Sequence, residues 1–212
     1  MIDQEKFYKA LSEGSMEGVK KLTQEALNRG ESAESILRQG LIKAMDQIGV
    51  KFKNCEIYIP EVLIAARAMH AGLGVLKPIL AKSTTSTMAK IVLGTVKGDL
   101  HDIGKNLVGM MLEGGGFEVV DIGIDAPPEK FIEAAKEHGA RVIGMSALLT
   151  TTMMQMKATI EKAKAAGLSS RLKIMVGGAP VTAEFAKQIG ADGYAPDAAS
   201  AVGKVKELLG MI

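Results

Sequence analysis

Near residue 82 the sequence changes its hydrophobic periodicity, and this change narrows the possible folds to a few. Beyond it, short β-rich runs alternate with stretches of helical spacing. The runs are Lys90–Thr95, Glu118–Ile122, Arg141–Ser146, Leu172–Val176 and Gly193–Ala195, and the helical stretches lie near 102–113, 128–138, 152–166, 182–189 and 198–210. Strands that alternate with helices of about ten residues predict βαβ units and a parallel sheet covered by helices on both faces.

Before this point apolar residues recur at helical spacing, as Val19, Leu22 and Ala26 do. We predict four helices, near 3–12, 15–29, 32–52 and 60–81. The stretch 82–88 has no apolar periodicity and is typical of a linker. The sequence therefore predicts a helical domain at 1–82, a linker at 83–88 and an α/β domain with a five-stranded parallel sheet at 89–212.

Composition and charge exclude several classes of function. The 212 residues are 47% hydrophobic and 24% charged, and the net charge of +2 gives no strong attraction to nucleic acid or to an anionic membrane. The single cysteine, Cys55, excludes an internal disulfide framework and a multi-cysteine metal site. No apolar run approaches the roughly 20 residues that span a bilayer, and the N-terminal segment lacks the apolar region of a signal peptide. We therefore expect a cytoplasmic protein with no nucleic-acid or membrane partner.

Ligands of an open parallel sheet bind beyond the carboxyl ends of its strands, which directs attention to the loops 94–104, 146–152 and 176–180. Of the 3 histidines, only His101 lies in such a loop. Asp99 can accept a hydrogen bond from one ring nitrogen of His101 and leave the other for a metal. One imidazole cannot hold a divalent ion alone, so a metal here would arrive already chelated in a macrocycle. The alternative is a structural loop histidine without a ligand.

The pattern Asp99-x-His101-x-x-Gly104, followed by Ser146-x-Leu148 and Gly177-Gly178, resembles the signature of cobalamin-binding Rossmann-like domains. The segment 57–61, which opens the last predicted helix, looks like the four-helix cap of methyl-transferring members. The whole chain is similar to the small corrinoid proteins that partner methanol, methylamine or similar methyltransferases in methanogens and anaerobic bacteria. The resemblance implies an α/β fold in which an N-terminal four-helix bundle cap precedes a Rossmann-like, flavodoxin-like corrinoid-binding domain.

The resemblance also implies roles for individual residues. His101 would replace the cofactor's own benzimidazole as the lower axial ligand of cobalt, and Asp99 would hydrogen-bond this histidine. Thr152 stands where cobalamin-dependent methionine synthase has a serine that completes the relay, and a threonine hydroxyl can make the same bond. Small or hydroxylated residues would line a channel for the displaced nucleotide tail; these are Ser146, Thr150, Gly177 and Gly178. The remaining cofactor contacts are assigned to Asp102, Ile103, Gly104 and Leu148.

The implied cofactor is cobalamin or a related corrinoid, which carries the methyl group as methylcobalamin. A substrate-specific methyltransferase would load the group from a methylamine, methanol, a betaine or a similar donor. A second methyltransferase would deliver it to tetrahydrofolate or coenzyme M, and an iron–sulfur reductive activator would restore oxidised cobalt. No residue of this chain is assigned to catalysis, so the protein would be a methyl-carrier component of one-carbon metabolism, methanogenesis or acetogenesis rather than a stand-alone enzyme.

The helical domain is expected to act as a movable lid over the upper cobalt face. Tyr58, Ile59 and Met69 would either cover that face or pack in the core of the cap. Three alternatives have other functions: a cobalamin-dependent sensor or regulatory module, the corrinoid subunit of a radical mutase, and a flavodoxin-like or nucleotide-binding module. The sensor needs a DNA-binding module for which the chain has no room. The mutase subunit usually lacks this cap, and the nucleotide-binding module needs a glycine fingerprint that is missing after the first strand.

Overall fold

The structure is a computed structural model that describes residues 2–80 and 89–211. The predicted linker at 83–88 lies outside these described residues. The described residues divide into two compact units. The first holds residues 2–80 together with Glu113–Gly116, and the second holds residues 89–112 and 117–211.

The first unit is helical. Its elements are α1 (Gln4–Ser12), α2 (Met16–Asn28), α3 (Ala33–Ser35), a π-helix (Ile36–Ile42), α4 (Lys43–Lys53) and α5 (Ile59–Leu80). Three helix starts are capped, because Asp3, Ser15 and Ser32 each accept a hydrogen bond from the backbone N–H three residues further on. α2 packs against α5 and α1 against α4, and their apolar faces form a core that includes Phe7, Leu11, Val19, Ile48, Met69 and Leu76.

The helix predicted at 32–52 is present from Ala33 to Lys53, but its middle is a π-helix. α3, the π-helix and α4 follow one another without a gap, so the described part of this unit has the four helical segments that the sequence predicts. Gly40 lies in the π-helix against Phe7, where a β-carbon would come within 3.1 Å of the ring. The wider turn was not predicted, because apolar residues three and four apart fit both kinds of helix.

α5 is long and apolar enough, by length and composition alone, to cross a bilayer. In this respect it departs from the expectation that no segment of the chain could do so. However, Glu61, Arg67 and Lys77 are charged, and 50% of its most apolar window is buried inside the protein. Among the described residues α5 is the one helix that meets this criterion, and its burial is the pattern of a core helix.

The second unit alternates strands with helices. The strands are β1 (Lys90–Thr95), β2 (Glu118–Asp121), β3 (Val142–Ser146), β4 (Lys173–Gly177) and β5 (Gly193–Tyr194), and the helices are α6 (Ile103–Gly114), α7 (Pro128–His138), α8 (Met154–Ala165), α9 (Ala183–Ile189) and α10 (Ala198–Leu208). The strands pair in parallel in the order β2-β1-β3-β4-β5, a flavodoxin-like doubly wound order. The predicted α/β fold with a five-stranded parallel sheet is confirmed.

β1 and β3 lie side by side in the middle of this sheet and are almost entirely buried. Their apolar side chains pack with those of the covering helices in a core that includes Val92, Phe131, Ile143, Met156 and Val176. The chain changes direction along the sheet between β1 and β3. The carboxyl ends of these two strands therefore form the switch point at which open α/β sheets bind ligands.

Candidate functional site

The loop after β1 carries Asp99 and His101 at the carboxyl edge of the sheet. The N–H of Asp99 donates to the carbonyl of Val96 at 3.1 Å, which closes a turn directly after the strand. Gly98, the third residue of this turn, has a φ of +81°, a conformation that favours glycine. The turn reverses the chain above β1 and brings Asp99 into the interior.

Asp99 is fully buried, and its carboxylate accepts hydrogen bonds on both oxygens. Oδ1 accepts from Nδ1 of His101 at 2.8 Å and from the backbone N–H of His101 at 3.2 Å. Oδ2 accepts from the N–H groups of Leu148 at 2.8 Å and Leu149 at 3.2 Å, and from the Thr152 hydroxyl at 2.9 Å. Asp99 thus ties the loop after β1 to the loop after β3.

The hydrogen bonds decide the charge of Asp99. Burial alone would raise the pKa of its carboxyl, but the bonds from Leu148, His101 and Thr152 outweigh burial and hold that pKa well below its usual value. The carboxylate is therefore ionised at neutral pH and acts as an acceptor only.

The His101 ring is oriented by Asp99 and remains accessible. Its side chain is 53% exposed. Because the carboxylate can only accept, the proton of the neutral ring lies on Nδ1, and Nε2 keeps its lone pair. Among residues 2–80 and 89–211, no group of three or more His, Cys, Asp and Glu side chains could hold a metal ion. The donor set therefore fits a metal that brings its other ligands with it.

Thr152 makes the contact that the predicted relay requires. Its hydroxyl lies 2.9 Å from Oδ2 of Asp99 and 2.8 Å from the carbonyl oxygen of Leu149. A hydroxyl has one proton, so it donates to one of these acceptors at a time. The ionised carboxylate is the stronger acceptor. Thr152, Asp99 and His101 thus form one hydrogen-bonded line that ends at Nε2.

Large apolar side chains are exposed in the two loops that Asp99 joins. Leu100 and Ile103 flank His101 in sequence, and Leu148 and Leu149 follow β3. Exposed apolar clusters of this kind mark ligand or partner surfaces. A flat macrocycle with a largely apolar face would cover such side chains and still reach Nε2 of His101, so these residues fit a corrinoid.

Gly177 and Gly178 stand at the end of β4, where the backbone leaves no room for side chains. Gly178 has a φ of +127°, and a β-carbon there would lie 1.8 Å from the carbonyl oxygen of Ala147. A β-carbon on Gly177 would lie 2.9 Å from the carbonyl oxygen of Ala195. The two glycines allow the backbone after β4 to lie close to the segments after β3 and β5. The channel for the nucleotide tail at these residues stays a prediction.

Other predicted site residues are placed near these groups without hydrogen bonds to Asp99 or His101. Ser146 is partly buried at the end of β3, and Thr150 is exposed in the following loop. Asp102 is exposed before α6, where its carboxylate accepts from the Asn106 amide at 3.2 Å. A β-carbon on Gly104 would meet no atom within 4 Å. The roles of these residues toward a cofactor stay predictions.

Sequence analysis missed three residues of this edge: Thr95, Leu149 and Asp125. Thr95 is fully buried and donates its hydroxyl to the carbonyl of His101 at 2.7 Å. Asp125 accepts from the N–H of Gly98 at 2.7 Å. A hydroxyl at the end of an apolar strand is a signal that could have identified Thr95. Asp125 is 27 residues from Gly98, and no local pattern connects the two.

Known proteins are similar to this chain in sequence and in fold. The family model of the B12 binding domain matches residues 89–203, and that of a second B12 binding domain family matches residues 3–77. The chain is 51% identical to dimethylamine corrinoid protein 2 of Methanosarcina mazei over 180 residues, which is 84% of each chain. It is similar in structure to a cobalamin-binding protein from Desulfitobacterium hafniense, with a TM-score of 0.81, 31% identity and coverage of 98% of this chain and 99% of that one.

A second solved structure is the methanol:cobalamin methyltransferase complex MtaBC of Methanosarcina barkeri. One of its chains matches with a TM-score of 0.85 and 28% identity, over 98% of this chain and 79% of that one. The B12 binding domain of residues 89–203 contains β1 to β5 and every residue of the site described above. The chain therefore belongs to the corrinoid-protein family and binds cobalamin or a related corrinoid.

Proposed function

We propose that this protein carries a methyl group on a bound corrinoid between two methyltransferases. The observation that supports this function is the His101 imidazole, which is exposed, held at Nδ1 by a buried carboxylate and able to donate a lone pair at Nε2. A single oriented nitrogen donor suits an axial ligand of a metal already held by a macrocycle.

Each part of the site then has a separate task. His101 would hold cobalt through Nε2, while Asp99 fixes the ring and its tautomer and Thr152 supports Asp99. Ile103, Leu148 and the exposed apolar side chains beside them would lie against the ring. The nucleotide tail would be accommodated by small and hydroxylated residues, namely Ser146, Thr150, Gly177 and Gly178. When bound, the corrinoid supplies a cobalt centre that accepts a methyl group from one molecule and gives it to another.

The first proposed partner is a methyltransferase that takes its methyl group from a methylated amine. The identity to a dimethylamine corrinoid protein supports this choice, and the likeness to a chain of a methanol:cobalamin methyltransferase complex supports a partner of this class. Methanol and betaines are the other donors to test. The chain's own residues bind and orient, so we assign the activation of the donor to this partner.

The family resemblance implies two further partners, which we include in the proposal. A group that is loaded must also be unloaded, and we assign this step to a second methyltransferase with tetrahydrofolate or coenzyme M as the acceptor. Strongly reduced cobalt is occasionally oxidised, and we assign its restoration to an iron–sulfur reductive activator. We place this exchange in the cytoplasm.

The test combines transfer with ligation. The full chain is reconstituted with cobalamin, reduced, and mixed with dimethylamine and a dimethylamine methyltransferase. The absorbance spectrum of the corrinoid should change as dimethylamine is consumed. An unchanged spectrum with dimethylamine, methanol and betaine, each with its methyltransferase, would overturn the carrier role.

Ligation is tested separately by electron paramagnetic resonance of the cobalt(II) state, which should show coupling to one protein nitrogen. We predict that His101→Ala loses this coupling but keeps corrinoid through the tail residues. Asp192→Asn is the matched control, because the Asp192 carboxylate accepts from the N–H of Ile174 near the amino end of β4, at the opposite edge of the sheet from His101. Coupling that persists in His101→Ala would contradict the assignment of His101 to cobalt.

A further inference from the structure

The loop between β2 and α7 contacts the loop that carries His101, and Asp125 makes the contact. Oδ1 of Asp125 accepts from the N–H of Gly98 at 2.7 Å. The backbone N–H of Asp125 donates to the carbonyl of Asp99 at 3.0 Å. One bond is to the residue before Asp99 and the other is to the carbonyl of Asp99 itself, so Asp125 restrains the backbone on both sides of the Asp99 α-carbon.

The backbone of Asp125 is in an unfavourable conformation. Its φ is +49°, and among the described residues the only other non-glycine residue with positive φ is Cys55. Aspartate tolerates this conformation better than most residues, but it still costs free energy and persists only where neighbouring contacts enforce it. Here the conformation is what turns both the carboxylate and the N–H of Asp125 toward residues 98–99.

The loop of Asp125 is anchored at both ends. At its start, Asp121 accepts from the N–H of Gly123 at 2.8 Å and pairs with Lys105, whose side chain is only 2% exposed. At its end, the N–H of Ala126 donates to the carbonyl of Thr95 at 2.9 Å. Pro127 follows and restricts Ala126 to extended backbone. These contacts fix the position of Asp125, so its hydrogen bonds can in turn fix Gly98 and Asp99.

Asp99 in turn helps to fix the position of His101. Asp99 holds Nδ1 of the ring, while Thr95 holds the His101 carbonyl at 2.7 Å. Without Asp125, the N–H of Gly98 and the carbonyl of Asp99 would lose a partner, and the peptide groups to which they belong could rotate. The ring would then follow, because Asp99 is its only hydrogen-bond partner among the described residues.

We propose that Asp125 is a positioning residue for the axial ligand: it braces Asp99 so that His101 presents Nε2 to cobalt. Asp125 makes no hydrogen bond to the His101 ring and acts through Gly98 and the carbonyl of Asp99. The proposal rests on the proposed ligation of cobalt by His101.

Three variants of the full chain separate the side chain of Asp125 from its backbone. Asp125→Gly removes the acceptor for Gly98 and relieves the positive φ. Asp125→Asn keeps an oxygen acceptor and tolerates the same backbone. Asp192→Gly is the matched control, since the Asp192 carboxylate accepts from the backbone N–H of Ile174 at 2.8 Å, near the amino end of β4 rather than at its carboxyl end.

Two measurements are made on each variant. The first is amide hydrogen exchange of Gly98 and His101 without corrinoid. The second is the fraction of cobalt(II) that shows coupling to a protein nitrogen after reconstitution with cobalamin. In Asp125→Gly, exchange at Gly98 should become faster, and the equilibrium between histidine-ligated and unligated cobalt should shift about two- to tenfold toward the unligated form, as expected for one hydrogen bond. Asp125→Asn should lie close to the unmodified protein, and Asp192→Gly should match it.

The outcomes distinguish this proposal from the one on which it rests. If the unmodified protein shows no nitrogen coupling, both ligation by His101 and the positioning role of Asp125 are overturned. Full coupling in both the unmodified protein and Asp125→Gly would overturn the positioning role of Asp125 but not ligation by His101. An equal loss in Asp125→Asn and Asp125→Gly would overturn that role as well, because the acceptor oxygen would then have no effect.

Discussion

Both carboxylate oxygens of Asp99 accept hydrogen bonds, so an amide nitrogen cannot replace either oxygen without the loss of some of these bonds. Oδ1 accepts from His101, and Oδ2 accepts from Leu148, Leu149 and Thr152. In Asp99→Asn the Nδ2 group must face one of these sets of donors. If it faces His101, it donates to Nδ1, the ring proton moves to Nε2, and the lone pair for cobalt is lost. If it faces Leu148 and Leu149, two backbone N–H groups lose their acceptor.

We therefore predict that Asp99→Asn weakens ligation by His101 about 10–100-fold, the range typical of residues that orient a metal ligand. Corrinoid should remain bound through the tail residues. Nitrogen coupling in the cobalt(II) spectrum and the corrinoid dissociation constant measure the two effects separately. Asp192→Asn, which changes a carboxylate at the amino edge of the sheet, should leave both unchanged. Complete release of corrinoid from Asp99→Asn would show that Asp99 holds the cofactor itself.

Short sequence separation decided which residue contacts could be predicted. Asp99 and His101 are two residues apart, so their hydrogen bond follows from the loop alone, and Thr152 follows from the resemblance. The contact of Asp125 with Gly98 depends on how the loop after β2 folds back along β1, which no local pattern records. The sequence also gives no indication that Leu149 supplies only its backbone N–H to Asp99.

At the scale of elements, hydrophobic periodicity predicted every strand and helix of the α/β unit, because each buries one face or both faces in a shared core. It did not predict the π-helix at Ile36–Ile42, where the apolar spacing is compatible with either helix type. It also could not show how closely the strands approach one another at their carboxyl ends, which depends on glycines whose φ only the fold reveals.

That approach makes Gly178 a testable position. We predict that Gly178→Ala lowers the free energy of unfolding by about 1–3 kcal/mol or more, because the new β-carbon would overlap a backbone oxygen that cannot rotate away. Corrinoid binding should weaken in parallel. Gly203→Ala is the control: this residue lies in α10 with no atom within 4 Å of a β-carbon, so the change should be neutral or stabilising. Urea unfolding measures both variants, and equal stability of the two would contradict the close approach at Gly178.

The pair between Lys105 of α6 and Asp121 of β2 joins two elements of the same unit. The Lys105 side chain is 2% exposed and also contacts Oδ1 of Asn106 at 2.7 Å, whereas the Asp121 side chain is 46% exposed. Asp121→Ala leaves a buried ammonium with one partner fewer, and we predict a loss of about 1–3 kcal/mol in the free energy of unfolding. Lys105→Met leaves a carboxylate that water can reach, so its loss should be smaller. The double variant also loses the bond from the Gly123 N–H to Asp121, so its loss should lie between those of Lys105→Met and Asp121→Ala. A larger loss in Lys105→Met than in Asp121→Ala would show that the carboxylate is the costly partner.

At the scale of the whole molecule, the residues assigned to the corrinoid all lie between β1 and the loop after β4, whereas residues 2–80 pack around a core of their own. A chain that begins at Met88 retains the whole sheet and its core, and such a unit can fold alone. We predict that this shorter chain unfolds cooperatively and binds corrinoid with the affinity of the full chain.

If the helical unit is a lid, its absence should shorten the lifetime of reduced cobalt and slow turnover with the methyltransferase. Absorbance follows the oxidation, and a coupled assay follows the turnover. Equal lifetimes and equal turnover in the two chains would refute the lid, while failure of the shorter chain to bind would place part of the corrinoid site in the helical unit.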